Sequence, residues 1–119
     1  MKEENVVLQK SYAFAVRIVR LSQFLVKDKQ AFQLADQIRR SGTSIGANME
    51  EAVGGQSRKD FVSKCSIAYK ETRETHYWLR LLRDTDYIDI PQSHSLLLDC
   101  EELLKILTAI IRSTKSGDA

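Results

Sequence analysis

Between Phe61 and Leu82, seven residues (Phe61, Cys65, Ala68, Thr72, Thr75, Leu79 and Leu82) alternate spacings of four and three without a slip. Only an α-helix brings such a set onto one face. Ser57, with Asp60 three residues later, resembles a capping box and starts this helix. It is predicted over residues 57–85, a rod of roughly 43 Å at 1.5 Å per residue. A helix so long and one-sided must lay its apolar seam on other helices.

Three more segments repeat near 3.6 residues, and none alternates as a strand does. The first helix is predicted over 6–27. One stripe on it is Leu8, Tyr12, Ala15, Val19 and Val26; a second, beside it, is Phe14, Ile18, Leu21 and Leu25. Together they cover about half the circumference, more than the roughly 100° a core-facing stripe needs. The second helix is predicted over 30–53, with Asp28 in the tight Lys27-Asp28-Lys29 connection as its N-cap. Ala31, Ile38, Ile45 and Ala52 repeat every seven residues, with Ala35, Gly42 and Met49 in parallel. Residues 41–48 are poor helix formers, yet the heptad passes through them in register. A break near Ser41 is the alternative. Gly42 and Gly46 would admit a close neighbouring backbone, and Gly54-Gly55 stops the helix. After the 84–91 loop, a fourth helix over 92–113 points Leu96, Cys100, Leu103, Leu107 and Ile110 inward, and the tail from Thr114 should fray. Short connections imply one all-α domain over 1–119, an antiparallel up-down-up-down four-helix bundle.

No apolar run is long enough to span a membrane and no signal-peptide core follows Met1, so a cytoplasmic protein is expected. Cys65 and Cys100 fall on apolar stripes and read as buried free thiols. A di-iron bundle needs Glu-x-x-His, which does not occur, and Gly42 to Gly46 lacks the strand and lysine of a phosphate loop. No catalytic residue, metal or cofactor is expected. Glu71 and Glu74 read as ion-pair partners of nearby cations, and Asn48 as a polar seam residue that fixes register.

Two surface features point outward. Ile67, Trp78 and Leu81 lie off the seam of the third helix. With Phe14, Ile18 and Leu25 of the over-wide first helix, they are expected to form an interface between identical subunits. Charge is also uneven. Residues 1–83 hold fifteen Lys/Arg against nine Asp/Glu, and residues 84–119 hold three against seven, within a net charge of +2. Arg17, Arg20, Arg39, Arg40, Arg58, Lys59, Arg73 and Arg80 are the candidate phosphate contacts; Tyr69, His76 and Tyr77 flank the last two.

The string Gln37-Ile38-Arg39-Arg40-Ser41-Gly42-Thr43-Ser44-Ile45-Gly46-Ala47-Asn48-Met49-Glu50-Glu51 resembles a hallmark of the bacterial 23S rRNA intervening-sequence protein family. So do Ser57-Arg58-Lys59-Asp60-Phe61, Ala68-Tyr69-Lys70-Glu71, Glu74-Thr75-His76-Tyr77-Trp78-Leu79 and Ser11-Tyr12-Ala13-Phe14-Ala15. The resemblance implies a four-helix bundle assembled into a ring, usually a pentamer, without catalytic residues. A related accessory protein of diversity-generating retroelements contacts a reverse transcriptase and nucleic acid. The expected partners are therefore further copies of the chain and RNA or DNA. The alternative is a scaffold docking a nucleic-acid enzyme such as a reverse transcriptase.

Overall fold

A computed structural model of the chain describes residues 2–115, which form a four-helix bundle: α1 (Lys2–Lys29), α2 (Phe32–Val53), α3 (Arg58–Asp84) and α4 (Ile90–Lys115). The molecule measures 47 × 22 × 18 Å. Each helix packs against two others: α1 on α2 and α4, and α3 on α2 and α4. Most of the tail expected to fray lies outside the described residues; Thr114 and Lys115 are helical.

The first connection differs from expectation. Gln30 takes a left-handed conformation (φ 54°), so α1 ends at Lys29 and α2 begins at Phe32, only two residues beyond it. The Gln30 and Ala31 N–H groups donate back to the Val26 and Leu25 carbonyls at 3.2 and 2.9 Å, satisfying acceptors the helix end would leave open. Asp28 therefore stays in the last turn of α1 and caps nothing; Ala31 precedes α2 without a side-chain cap. Ser57 does cap α3, accepting from the Asp60 N–H at 3.0 Å. Asp89 accepts from the Gln92 N–H at 2.8 Å, and Pro91 sits in the first turn, where its missing N–H costs nothing. These two residues start α4 earlier than its apolar stripe suggests.

Helix α2 runs unbroken through its weak middle. Thr43 and Ser44 donate to the Arg39 and Arg40 carbonyls at 2.7 and 2.6 Å, and Asn48 donates to the Ser44 carbonyl at 2.8 Å. Asn48 thus bonds its own helix, not another one. The low propensity is offset by packing: Ser41, Gly42, Ile45 and Gly46 are all buried. A methyl added at Gly42 would stand 2.7 Å from Cγ2 and 2.8 Å from Cγ1 of Ile18. The two glycines are what let α1 and α2 approach so closely.

One continuous core draws on all four helices. The α3 seam is buried from Cys65 to Leu82, with Phe61 half-buried, and the five inward α4 residues are buried as expected. On α1 the expectation is reversed. Phe14, Ile18 and Leu25, assigned to a subunit interface, are at most 2% exposed and fill the protomer's own core with Val7 and Leu21. Tyr12, Val16 and Val26 face outward, at 69%, 37% and 40% exposure. Six buried hydroxyls accompany the apolar groups, and each donates to a backbone carbonyl of its own helix. The Thr75 hydroxyl shares its single proton between the Glu71 carbonyl and the Ser41 hydroxyl oxygen, 2.9 Å away across α2 and α3. Burying them paired avoids the desolvation cost of orphaned polar groups.

Candidate nucleic-acid interface

Acidic α4 lies between α1 and α3, and its middle turns consume part of the positive charge. Arg17 donates to Asp99 and, at 3.0 Å, to the Ser95 hydroxyl. Lys10 pairs with Glu102 at 3.2 Å, and His76 meets Glu101 at 3.0 Å. The basic-to-acidic polarity of the sequence is thus partly cancelled inside one chain. Arg39 is also engaged, by Asp36 one turn earlier on its own helix.

The other candidates are scattered. Arg58 and Lys59 are exposed in the first turn of α3. Arg80 stands near its other end, 5.9 Å over the Tyr77 ring; 22 residues of helix separate Arg58 from Arg80, about 33 Å. Arg73 donates to the Tyr69 hydroxyl at 3.4 Å, while Arg20 and Arg40 are exposed. No single patch holds all eight. Glu74 accepts from the Trp78 indole N–H at 3.1 Å, and among the described residues neither Glu71 nor Glu74 pairs with a cation. Trp78 is half-buried, edge-on to Tyr77 at 5.0 Å. Of the expected α3 interface residues, Ile67 is exposed and Leu81 half-buried.

A group of cations outside the sequence expectation stands on the outer faces of α3 and α4. Tyr69 and Lys70 of α3 face Ile111, Arg112 and Lys115 of α4 across an open groove of about 680 Å³. Among the described residues no carboxylate pairs with Lys70, Arg112 or Lys115. Arg112 and Lys115 were hidden in a segment that is acidic on average, but their spacing, matching that of Lys70 and Arg73, carried the signal. Cations in the last turn of a helix also favour its dipole.

The sequence profile of the 23S rRNA-intervening sequence protein family matches residues 3–109. The chain belongs to the 23S rRNA-intervening sequence protein family. A crystal structure from the S23 ribosomal protein family of Bacteroides thetaiotaomicron, described as a protein of unknown function, superposes with a TM-score of 0.91 at 52% identity. The match covers 92% of this chain and 98% of that one. No curated protein matches. For this 23S rRNA-intervening sequence protein, no helix of the described residues is long and apolar enough to cross a membrane.

Proposed function

We propose that this family member is a non-enzymatic bundle that assembles into a closed ring, five subunits favoured by the family resemblance, and binds structured RNA or DNA through phosphates. The supporting observation is the population of cations left over once the internal pairs are formed. Arg20, Arg40, Arg58, Lys59, Lys70, Arg112 and Lys115 have no acidic partner among the described residues. A lone protomer offers few such contacts to any one ligand. A ring repeats them about its axis, so that contacts add without new chemistry.

The assembly surface fits the outward face of α1, where Tyr12, Val16, Val19 and Arg20 line a shallow groove of about 360 Å³. Half-exposed Ile67 on α3 is a second apolar point. An antiparallel up-down-up-down order within each subunit is supported by pairs whose numbers fall on one helix as they rise on the next. Gly42 lies against Ile18 and Gly46 against Ser11; Ser41 meets Thr75 and Glu51 meets Lys64. Cytoplasmic action accords with the family's association with ribosomal RNA genes.

The test is an anisotropy titration of a labelled RNA hairpin at several salt concentrations. Log affinity is expected to fall linearly with log salt, by about 0.7–0.9 per phosphate neutralised. Arg40→Ala/Arg58→Ala/Lys59→Ala should weaken binding at least about tenfold and flatten that slope. Arg39→Ala should do less, because Asp36 already engages it. Binding undetectable at low salt, or indifferent to salt and to these substitutions, would leave the scaffold that docks a nucleic-acid enzyme as the better reading.

A further inference from the structure

Each wall of the α3–α4 groove carries the same spacing. On α3 the lining residues are Ser66, Tyr69 and Lys70, and Arg73, bonded to Tyr69, continues their spacing beyond the groove; on α4 they are Thr108, Ile111, Arg112 and Lys115. Both sets follow i, i+3, i+4, i+7, the repeat of a single helix face. Hydroxyls lie at one position of each set, an aromatic or apolar side chain at the next, and cations at the last two. The volume of about 680 Å³ falls within the roughly 300–1,000 Å³ of small-ligand sites.

We infer that this groove receives an unpaired nucleotide of a single-stranded RNA or DNA segment, its base against Tyr69 and Ile111 and its flanking phosphates on Lys70, Arg112 and Lys115. The inference rests on the nucleic-acid reading above and specifies which part of the ligand is held here. Three observations favour this occupant. Cations from both walls surround one aromatic ring, that of Tyr69, the combination that holds a strand by stacking and backbone charge together. The Thr108 hydroxyl donates its proton to the Leu104 carbonyl at 2.7 Å, so toward the groove it can only accept. That suits the N–H groups of a base at this point of the groove, and disfavours anionic oxygens there, whether of carboxylate or phosphate. A duplex keeps its bases stacked inside and would offer the cleft phosphates alone. The Arg73 guanidinium, 3.4 Å from the Tyr69 hydroxyl, places a further cation beside the ring.

The experiment is anisotropy of a labelled ten-nucleotide oligo-U against a blunt RNA duplex of equal length, using the full chain at fixed salt. Wild type should bind the single strand more tightly. Tyr69→Leu should lose about tenfold or more for the single strand and little for the duplex, since one stacked base contributes about 1–3 kcal/mol. Tyr69→Phe keeps the ring and should retain binding. Lys70→Gln/Arg112→Gln, at exposed positions that leave the core intact, should weaken both ligands. Equal binding of single strand and duplex, or an unchanged Tyr69→Leu, overturns the inference. So does a poly-glutamate peptide that competes as well as unlabelled oligo-U. If the hairpin still binds with a steep salt dependence in those cases, the wider nucleic-acid reading stands and only the groove assignment falls; if no nucleic acid binds, both fall.

Discussion

Gly42→Leu should cost about 3 kcal/mol or more of stability and lower the thermal midpoint by roughly 10 °C. The reason is local and steric. Even a methyl at this position meets Ile18 at 2.7 and 2.8 Å from its two γ-carbons, and its Cβ at 3.1 Å. Ile18 is fully buried, and a β-branched side chain on a helix has essentially one rotamer. It cannot retreat, so the helices must part. Gly42→Ala pits the same clash against about 1 kcal/mol of improved helix propensity, and the clash should win. In an Ile18→Ala background the cost of Gly42→Ala should shrink, a coupling that a double-mutant cycle reads directly. Gly46→Ala provides the contrast. Its nearest obstacle is the Ser11 hydroxyl at 3.2 Å, whose own bond to Leu8 is long at 3.3 Å. Stability there should stay within about 1 kcal/mol of wild type. A destabilised Gly46→Ala beside an undisturbed Gly42→Ala would mean that the α1–α2 contact is misassigned.

The second large effect concerns the two thiols. Burial pushes Cys65 up to about 11, helped by the charge of Glu4, and Cys100 up to about 12, helped by Glu101 and Asp99. The thiolate is the nucleophile, so at pH 8 both groups should react with a disulfide reagent only through opening of the fold. An opening free energy of about 5 kcal/mol slows labelling by more than ~10³-fold relative to denatured chain. The pH dependence has a fixed sign. Both thiols hold their protons more tightly folded than unfolded, so their contribution is intact below the ordinary thiol range near 9. It declines as pH rises from there toward 11 and 12, because only the unfolded chain then releases protons. Urea midpoints measured from pH 8 to 10.5 should fall, and fall less in Cys100→Ala than in wild type. Rapid labelling of native protein at pH 8 would contradict the burial of these groups.

Much of this fold could be read from the sequence, and the exceptions have physical causes. Heptads on α2 and the four–three alternation on α3 survived because nearly every core position there is small or apolar. Thr72 and Thr75 did not interrupt the α3 pattern, since each hydroxyl is satisfied by the carbonyl four residues back. Helix α1 misled because its true seam, Val7, Ser11, Phe14, Ile18, Leu21 and Leu25, contains a serine. The outer stripe, Tyr12, Ala15, Val19 and Val26, is wholly apolar apart from the tyrosine hydroxyl. A polar residue inside and valines outside exchanged the apparent roles of the two faces. The Asp28 cap failed for another reason: Gln30 adopts a left-handed conformation that residues of its type rarely favour.

The candidate site was less legible than the fold. A count of charges along the chain does not reveal that Asp99 and Glu102 reach across to Arg17 and Lys10, because those pairs join residues more than eighty positions apart. Nor does it show that Arg112 and Lys115 stand opposite Lys70. The three-residue spacing of Lys70 and Arg73 and of Arg112 and Lys115 was present in the sequence, but only the packing of α3 against α4 brings Lys70, Arg112 and Lys115 to one groove. Of the original eight, Arg17 and Arg39 are engaged by Asp99 and Asp36, whereas Arg20, Arg40, Arg58 and Lys59 have no acidic partner among the described residues.

Assembly is the claim on which the nucleic-acid reading depends, because one protomer presents its free cations in several directions. Its most direct measurement is the mass in solution, by light scattering behind size exclusion, at micromolar concentration and physiological salt. A closed ring of five predicts a single species of roughly 68 kDa, five times the 13.6 kDa chain. Val16→Glu, at the centre of the exposed α1 face, should then reduce the mass to one chain while leaving helix content unchanged. A wild-type protein that elutes as a clean 13.6 kDa monomer under these conditions would contradict the account.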